Sequence, residues 1–310
     1  MKRRILLSLV AVGLAAGCSK APQQDSAFFM GTFIEVTAYD PRAFAIVFDE
    51  FRRLDKVFNL FDDKSELTEL NRKGELVVSQ DLFSVLKMSR SFYQATSGAF
   101  DVSVAPLSLL WKKAILERAL PAAGDIKNAQ ALVGMDYVYL DEATRRVKLL
   151  KDGVKLDLGA LAKGYAIDQA VVRLKEARIT SVLLNAGGHI YGLGDNNGTP
   201  WRVAIRDPRR KGRVFGKMDL RDRAAATSGD YEQFFELNGK RYSHIIDPRT
   251  GYPAVEATIA ATIVASSAAT ADGLATSCLL LDPACCRDLL GQYPGVRAEL
   301  VDDHGKVTSL

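Results

Sequence analysis

Two periods of apolar residues divide the chain into an early helical part and a later strand-rich part. Residues 28–40 (FFMGTFIEVTAYD) alternate aromatic and β-branched positions with polar ones, which predicts a strand. Phe44, Val47, Phe48, Phe51 and Leu54 then recur at helical spacing. Ser65, followed by Glu66 and Glu69, predicts a capped short helix. Leu82, Val85, Leu86 and Ser89 share one face of a helix that ends near Gly98. Another short helix is expected over 125–133, and a hairpin with arms at 137–140 and 147–150.

Further on, 154–157 reads as a short strand, 161–177 as a helix, and 181–184 as a strand entering the Gly187-Gly188 turn. Short strands are expected at 201–206, 216–220, 223–227, 232–237 and 242–246, with Asn238-Gly239 as a two-residue hairpin turn. An apolar β-branched strand covers 258–265, a helix 268–281, and a terminal hairpin 297–310. Helices early and hairpins late predict an α+β fold with antiparallel sheets, not a doubly wound α/β fold. No linker or fixed-period repeat interrupts 28–310, so one compact unit is expected.

Composition narrows the function. The 310 residues are 48% hydrophobic, enough for a sizeable core. The net charge is +4, and Lys2, Arg3 and Arg4 supply three of those charges, which leaves the remainder near neutral and disfavours a nucleic-acid binder. The basic stretch 206–213 contains Asp207 and Pro208 and reads as a solvated loop.

The first residues, MKRRILLSLVAVGLAAGC, place a basic start before an apolar stretch too short to span a membrane. Leu14-Ala15-Ala16-Gly17-Cys18 is similar to a bacterial lipobox. The expectation is a lipoprotein signal over 1–17, lipidation at Cys18, a polar tether to residue 27, and export to the cell envelope on a lipid anchor. No zinc-type spacing joins Cys278, Cys285 and Cys286. Cys278 reads as a small buried residue, with a bridge to Cys285 or Cys286 as the alternative.

Three segments carry candidate chemistry. In 156–165 (LDLGALAKGY) a carboxylate, a small-residue turn and a helix start follow one another, a layout whose backbone N–H groups suit phosphate. The plain alternative is a strand-to-helix turn. Asp272 and Thr276 are i,i+4 on one helix face and can present hard oxygen donors to a cation such as Mg²⁺. Their plain alternative is helix capping by Asp272 with Thr276 bonded to its own backbone. His244, one of three histidines, is flanked by hydroxyls and a carboxylate and can serve as a base or as a satisfied sheet histidine. His189 and His304 read as structural.

Together and in order, these segments resemble the ApbE family, the FAD:protein FMN transferases. The matching stretches are Met30-Gly31-Thr32, 61–71 (FDDKSELTELN), 97–111 (SGAFDVSVAPLSLLW), 157–165, Asn185-Ala186-Gly187-Gly188, 201–208, 226–231, 242–253 and 271–276. The resemblance implies a T-fold-related α+β architecture. It implies Mg²⁺-dependent transfer of the FMN moiety of FAD to a threonine or serine hydroxyl of a target flavoprotein, such as a subunit of a membrane redox pump, with release of AMP. By motif position, Asp272 and Thr276 would hold Mg²⁺ through side chains and Ala160 through its carbonyl. Met30, Phe61, Gly98, Ala99, Phe100, Asp101, Asp157, Lys163 and Ile246 would line the FAD site. His244 would be the base or handle phosphate, and Asp272 would share in catalysis through the metal. Two positions depart from the pattern: Phe61 stands where many relatives carry tyrosine, and His189 where an acidic or amide residue is frequent. The alternatives are an FAD pyrophosphatase that yields FMN and AMP, and a non-catalytic FAD-binding lipoprotein.

Overall fold

The computed structural model describes residues 21–210, 212–254 and 258–310. The expected signal segment and the expected lipidation site Cys18 lie outside the described residues. Eight strands form the main sheet: β1 (Gln23–Phe29), β2 (Thr32–Ala38), β3 (Val182–Ala186), β4 (His189–Leu193), β5 (Arg223–Gly229), β6 (Thr258–Ala265), β7 (Arg297–Asp302) and β8 (Val307–Ser309). They lie in chain order across the sheet, and every neighbouring pair is antiparallel. The helices are α1 (Arg42–Phe58), α2 (Glu66–Lys73), α3 (Gln80–Ala95), α4 (Ala105–Glu117), α5 (Ala123–Gln130), α6 (Ala162–Glu176), α7 (Ala268–Leu280) and α8 (Pro283–Leu290). The α+β expectation with antiparallel sheets and packed helices holds.

The central strand β6 is buried at all eight positions, because both faces of the sheet are covered there. On one face lie α1, α6 and α7. Phe51, Leu54, Leu174 and Leu274 are fully buried there, each removal from water being worth about 1.5–3 kcal/mol. On the other face the hairpin of Trp201–Arg206 and Val214–Leu220 packs Val203 and Leu220 against Ala225 and Val264. The edge strand β1 is mostly exposed.

Helix α7 shows no amphipathic stripe because nearly every position is buried between the sheet and its helical neighbours. Its N-terminus is capped twice. Ser267 accepts from the Thr270 N–H, and Asp168 of α6 accepts from the N–H groups of Ala268 and Ala269. Gly164 makes this close crossing of α6 and α7 possible, since a β-carbon there would collide with the Ala268 carbonyl.

A second, smaller core joins α4 and α5 to two hairpins, Phe234–Leu237 with Lys240–Ser243 and Ile246–Asp247 with Tyr252–Pro253. Trp111 anchors it, stacked on Tyr242 and donating from Nε1 to the Gly251 carbonyl at 2.8 Å.

Several elements differ from the sequence reading. Residues 28–40 form not one strand but the β1–β2 hairpin, and β1 begins at Gln23 inside the expected tether. The turn is Met30-Gly31, with Met30 at φ 51, a conformation that disfavours methionine and so hides the turn from the sequence. Residues 154–157 do not form a strand. The Asn71 side chain instead brackets Leu156, accepting from its N–H at 2.7 Å and donating to its carbonyl at 2.9 Å. The strand expected over 242–246 breaks at His244. Helix α4 was not foreseen because APLSLLW is apolar nearly all round. Helix α8 was also missed, although Asp282-Pro283 supplies its cap and first-turn proline. Cys278 is bridged to Cys286, tying α7 to α8, and Cys285 is an exposed free thiol.

Substituting Gly164→Ala should cost about 1–3 kcal/mol, since backbone has to move. Urea unfolding checks this; unchanged stability would contradict so close a crossing.

Candidate active site

A cleft of about 600 Å³ lies between the main core and the Trp111 core. That is the size range of small-molecule and cofactor sites. One wall comes from the β1–β2 turn and the loop after α1, through Met30 and Phe61. Another comes from the loop that precedes α4, and a third from the start of α6 and the middle of α7.

Met30 is held in its strained turn by its N–H, which donates to Asp55 Oδ1 at 3.0 Å. Strain retained at a cleft wall is consistent with a functional position. Phe61 is 63% exposed, and the Lys112 ammonium sits 3.3 Å from its ring centroid. One face of the ring thus meets a cation.

Asp157 stands just before α6. Its Oδ1 accepts from the Gly159 N–H at 3.0 Å and its Oδ2 from Ser108 Oγ at 2.8 Å. Lys163 donates to the Gly159 carbonyl at 2.9 Å. The helix start is less open to phosphate than the sequence suggested. The Ala162 N–H bonds to the Leu158 carbonyl, and the Gly164 N–H bonds to Asp272. Two of the first three α6 donors are therefore already used, and positive charge for an anion has to come from Lys163 or Lys112.

Asp272 is fully buried on α7. It does not cap its own helix, because Ser267 does so. Its Oδ2 accepts from Gly164 N–H at 3.0 Å and its Oδ1 lies 2.8 Å from His189 Nε2. Burial pushes the carboxyl up, but His189, Lys163 and the Gly164 N–H outweigh that and hold it below the ordinary carboxylate range. Thr276 does not bond back to its own helix in the expected way. Its Oγ1 lies 3.1 Å from Ser228 Oγ on β5.

His244 sits at the strand break, half-buried, with its N–H on the Gln233 carbonyl and its Nδ1 3.3 Å from the same oxygen. A carbonyl can only accept, so Nδ1 carries the proton and Nε2 is left as the basic atom. Crowding by protein lowers its pKa, an effect Glu232 opposes and Lys163 reinforces.

Met30, Phe61, Ala99, Phe100, Asp101, Asp157, Ala160, Lys163, His244, Ile246, Asp272 and Thr276 all line this one cleft. Gly98 does not; it turns beneath the Tyr93 ring at φ 84. Asp101 reaches the wall, but its carboxylate is spent on the N–H groups of Ser103 and Met135 and on the Ser103 hydroxyl, and burial raises its pKa. Sequence reasoning missed Lys112 and Glu232, gave Ser108 and Ser228 no role although they lie in the matching stretches 97–111 and 226–231, and set His189 aside as structural. The rarity of histidine beside a Gly-Gly turn was the available signal for His189.

Among the described residues no three His, Cys, Asp or Glu side chains cluster as a metal site. Asp272, Thr276 and Ala160 line the same cleft, and a carboxylate, a hydroxyl and a backbone carbonyl are oxygen donors whose chemistry fits a hard cation keeping part of its water shell.

The ApbE family pattern matches residues 30–300, nearly the whole described chain. The chain belongs to the ApbE family. It is 32% identical to the FAD:protein FMN transferase of Treponema pallidum (strain Nichols) over 94% of its own length and 87% of that protein. The ApbE protein of Thermotoga maritima superposes with a TM-score of 0.84 at 30% identity, covering 93% of this chain and 96% of that one. The apo flavinyl transferase ApbE of Pseudomonas stutzeri gives 0.80 at 28% identity, covering 93% and 94%. The cleft of this ApbE chain gathers residues from eight of the nine motif stretches, all but 201–208, so the motifs scattered along the sequence converge in space.

A lowered His244 pKa means that the folded state disfavours the charged ring. The imidazole should stay neutral as pH falls past its ordinary 6.5, and its protonation below that pH should weaken the fold. An NMR titration of the ring checks this; a midpoint at or above 6.5 would contradict it.

Proposed function

We propose that the chain transfers the FMN moiety of FAD to a threonine or serine hydroxyl of a target flavoprotein and releases AMP, with Mg²⁺ held at Asp272. Family membership and the convergence of Asp272, Thr276, Lys163, Asp157 and His244 on one cleft carry this reading.

The chemistry is displacement at phosphorus. The acceptor oxygen bonds to the FMN phosphorus, the pyrophosphate P–O bond breaks, and AMP leaves with the bridging oxygen. Asp272 and Thr276 side chains, with the Ala160 carbonyl, would hold the cation. When bound, Mg²⁺ neutralises charge on the pyrophosphate and favours attack by an oxygen nucleophile. Lys163 adds positive charge along the same wall. His244 Nε2 takes the proton from the attacking hydroxyl, and the Gln233 carbonyl keeps the ring in the required tautomer. Met30 and Phe61 supply apolar contact for a flat ring system, and Lys112 leaves one face of Phe61 for stacking.

We further propose that the mature chain is exported and anchored to the envelope through Cys18. The Cys278–Cys286 bridge supports an oxidising compartment.

Incubation with FAD, Mg²⁺ and an acceptor domain should add one FMN moiety to the acceptor, read by mass spectrometry, with AMP appearing only when acceptor is present. FMN and AMP released equally without acceptor would replace this reading with a pyrophosphatase. FAD retained unchanged would make the chain a binding protein. His244→Asn should lower turnover by about 10²–10⁴-fold, the usual range for a general base, while FAD still binds. Asp272→Ala should abolish Mg²⁺-dependent turnover.

A further inference from the structure

One buried side chain at the cleft has no part in the reaction above. His189 opens β4 directly after the Gly187-Gly188 turn and is 5% exposed. Its Nε2 lies 2.8 Å from Asp272 Oδ1. Its Nδ1 is buried and has no hydrogen-bond partner among the described residues.

These contacts separate two roles. A histidine that merely braces a sheet gains most by satisfying both ring nitrogens, because a buried polar atom without a partner costs stability. Here the ring leaves Nδ1 unsatisfied and makes its one side-chain bond to Asp272. Nε2 lies 2.8 Å from a carboxylate oxygen, and a carboxylate that binds a cation has only acceptors, so Nε2 carries the proton and donates.

Asp272 thus receives one N–H on each oxygen, from Gly164 on α6 and from His189 on β4. Two donors from separate elements fix the rotation of the carboxylate plane. Each oxygen keeps a second acceptor site, so the carboxylate can still bind a cation. Donors behind a ligating carboxylate orient it and tune its affinity for metal.

We infer that His189 is a positioning residue that fixes the Asp272 carboxylate through Nε2–H and thereby tightens Mg²⁺ binding. This rests on the proposed Mg²⁺ site at Asp272. The ring acts on the metal through Asp272 and not as a ligand.

The two amide substitutions test which nitrogen matters. The side-chain nitrogen of His189→Gln can reach the position of Nε2, whereas that of His189→Asn reaches that of Nδ1. Mn²⁺ binding to the mature chain is followed by electron paramagnetic resonance, with Mg²⁺ as competitor, and the Mg²⁺ KM is measured in parallel. His189→Gln should bind within about threefold of the parent chain. His189→Asn and His189→Ala should bind about 10–100-fold more weakly and need correspondingly more Mg²⁺. Equal binding by parent, Gln and Asn forms would overturn the inference. If His189→Ala does not fold, the Gln and Asn comparison decides alone. Asp272→Asn distinguishes the two layers of the argument. If it binds Mn²⁺ as tightly as the parent, the metal reading at Asp272 fails and this inference with it. If it loses binding while the His189 variants keep theirs, only the role of His189 is refuted.

Discussion

The N-terminal turns of α6 and α7 cross so closely that residue 164 has no room for a side chain, and each helix reaches across to the other with an aspartate. Asp168 of α6 accepts the free N–H groups at the start of α7, and Asp272 of α7 accepts the Gly164 N–H near the start of α6. The exchange satisfies helix-end donors that would otherwise be buried without partners. It also sets a carboxylate at the head of a cleft, on two packed helices and not on a loop. Rigid helices hold the geometry that phosphate-transfer chemistry needs.

The cleft is closed on its other side by a separate small core. Trp111, stacked on Tyr242 and bonded to Gly251, holds α4 against the two hairpins that flank His244, the second of which carries Ile246. The proposed base and the proposed metal site therefore stand on different packing units. The loop that precedes α6 joins them, because Asp157 is bonded to Ser108 of α4 and Lys163 to Gly159. A change that loosens Trp111 would shift His244 relative to Asp272 without touching either.

Much of this was legible in the sequence wherever one face of an element is buried. Helix α1 shows its stripe, β6 its apolar β-branched run, and Asn238-Gly239 its turn, because in each case local preference and burial agree. The misses have physical causes. Helix α4 is apolar nearly all round and so shows no period. Met30 occupies a turn conformation that methionine disfavours and that the Asp55 bond supports. In residues 154–157 the Leu156 backbone is bonded on both sides by the distant Asn71 side chain, and the Asp157 N–H donates to the Val102 carbonyl, contacts that no local pattern predicts. At the site, all but Gly98 of the residues expected to contact FAD or metal line the one cleft. His189 escaped because its meaning lies in a contact with a residue 83 positions away.

Three aspartates near the cleft show how environment, and not residue type, sets the direction in which a carboxyl pKa shifts. Asp101 and Asp168 are buried and bonded to N–H and hydroxyl groups, yet burial wins and raises both. Asp272 is buried more deeply, and its carboxyl is lowered all the same. The difference is the company it keeps, since His189 and Lys163 stand beside it while Asp101 and Asp168 have other carboxylates nearby. Asp272 also helps to raise Asp168 across the helix crossing. Burial alone therefore does not decide the direction: nearby cations lower the Asp272 carboxyl, whereas nearby carboxylates add to the rise at Asp101 and Asp168.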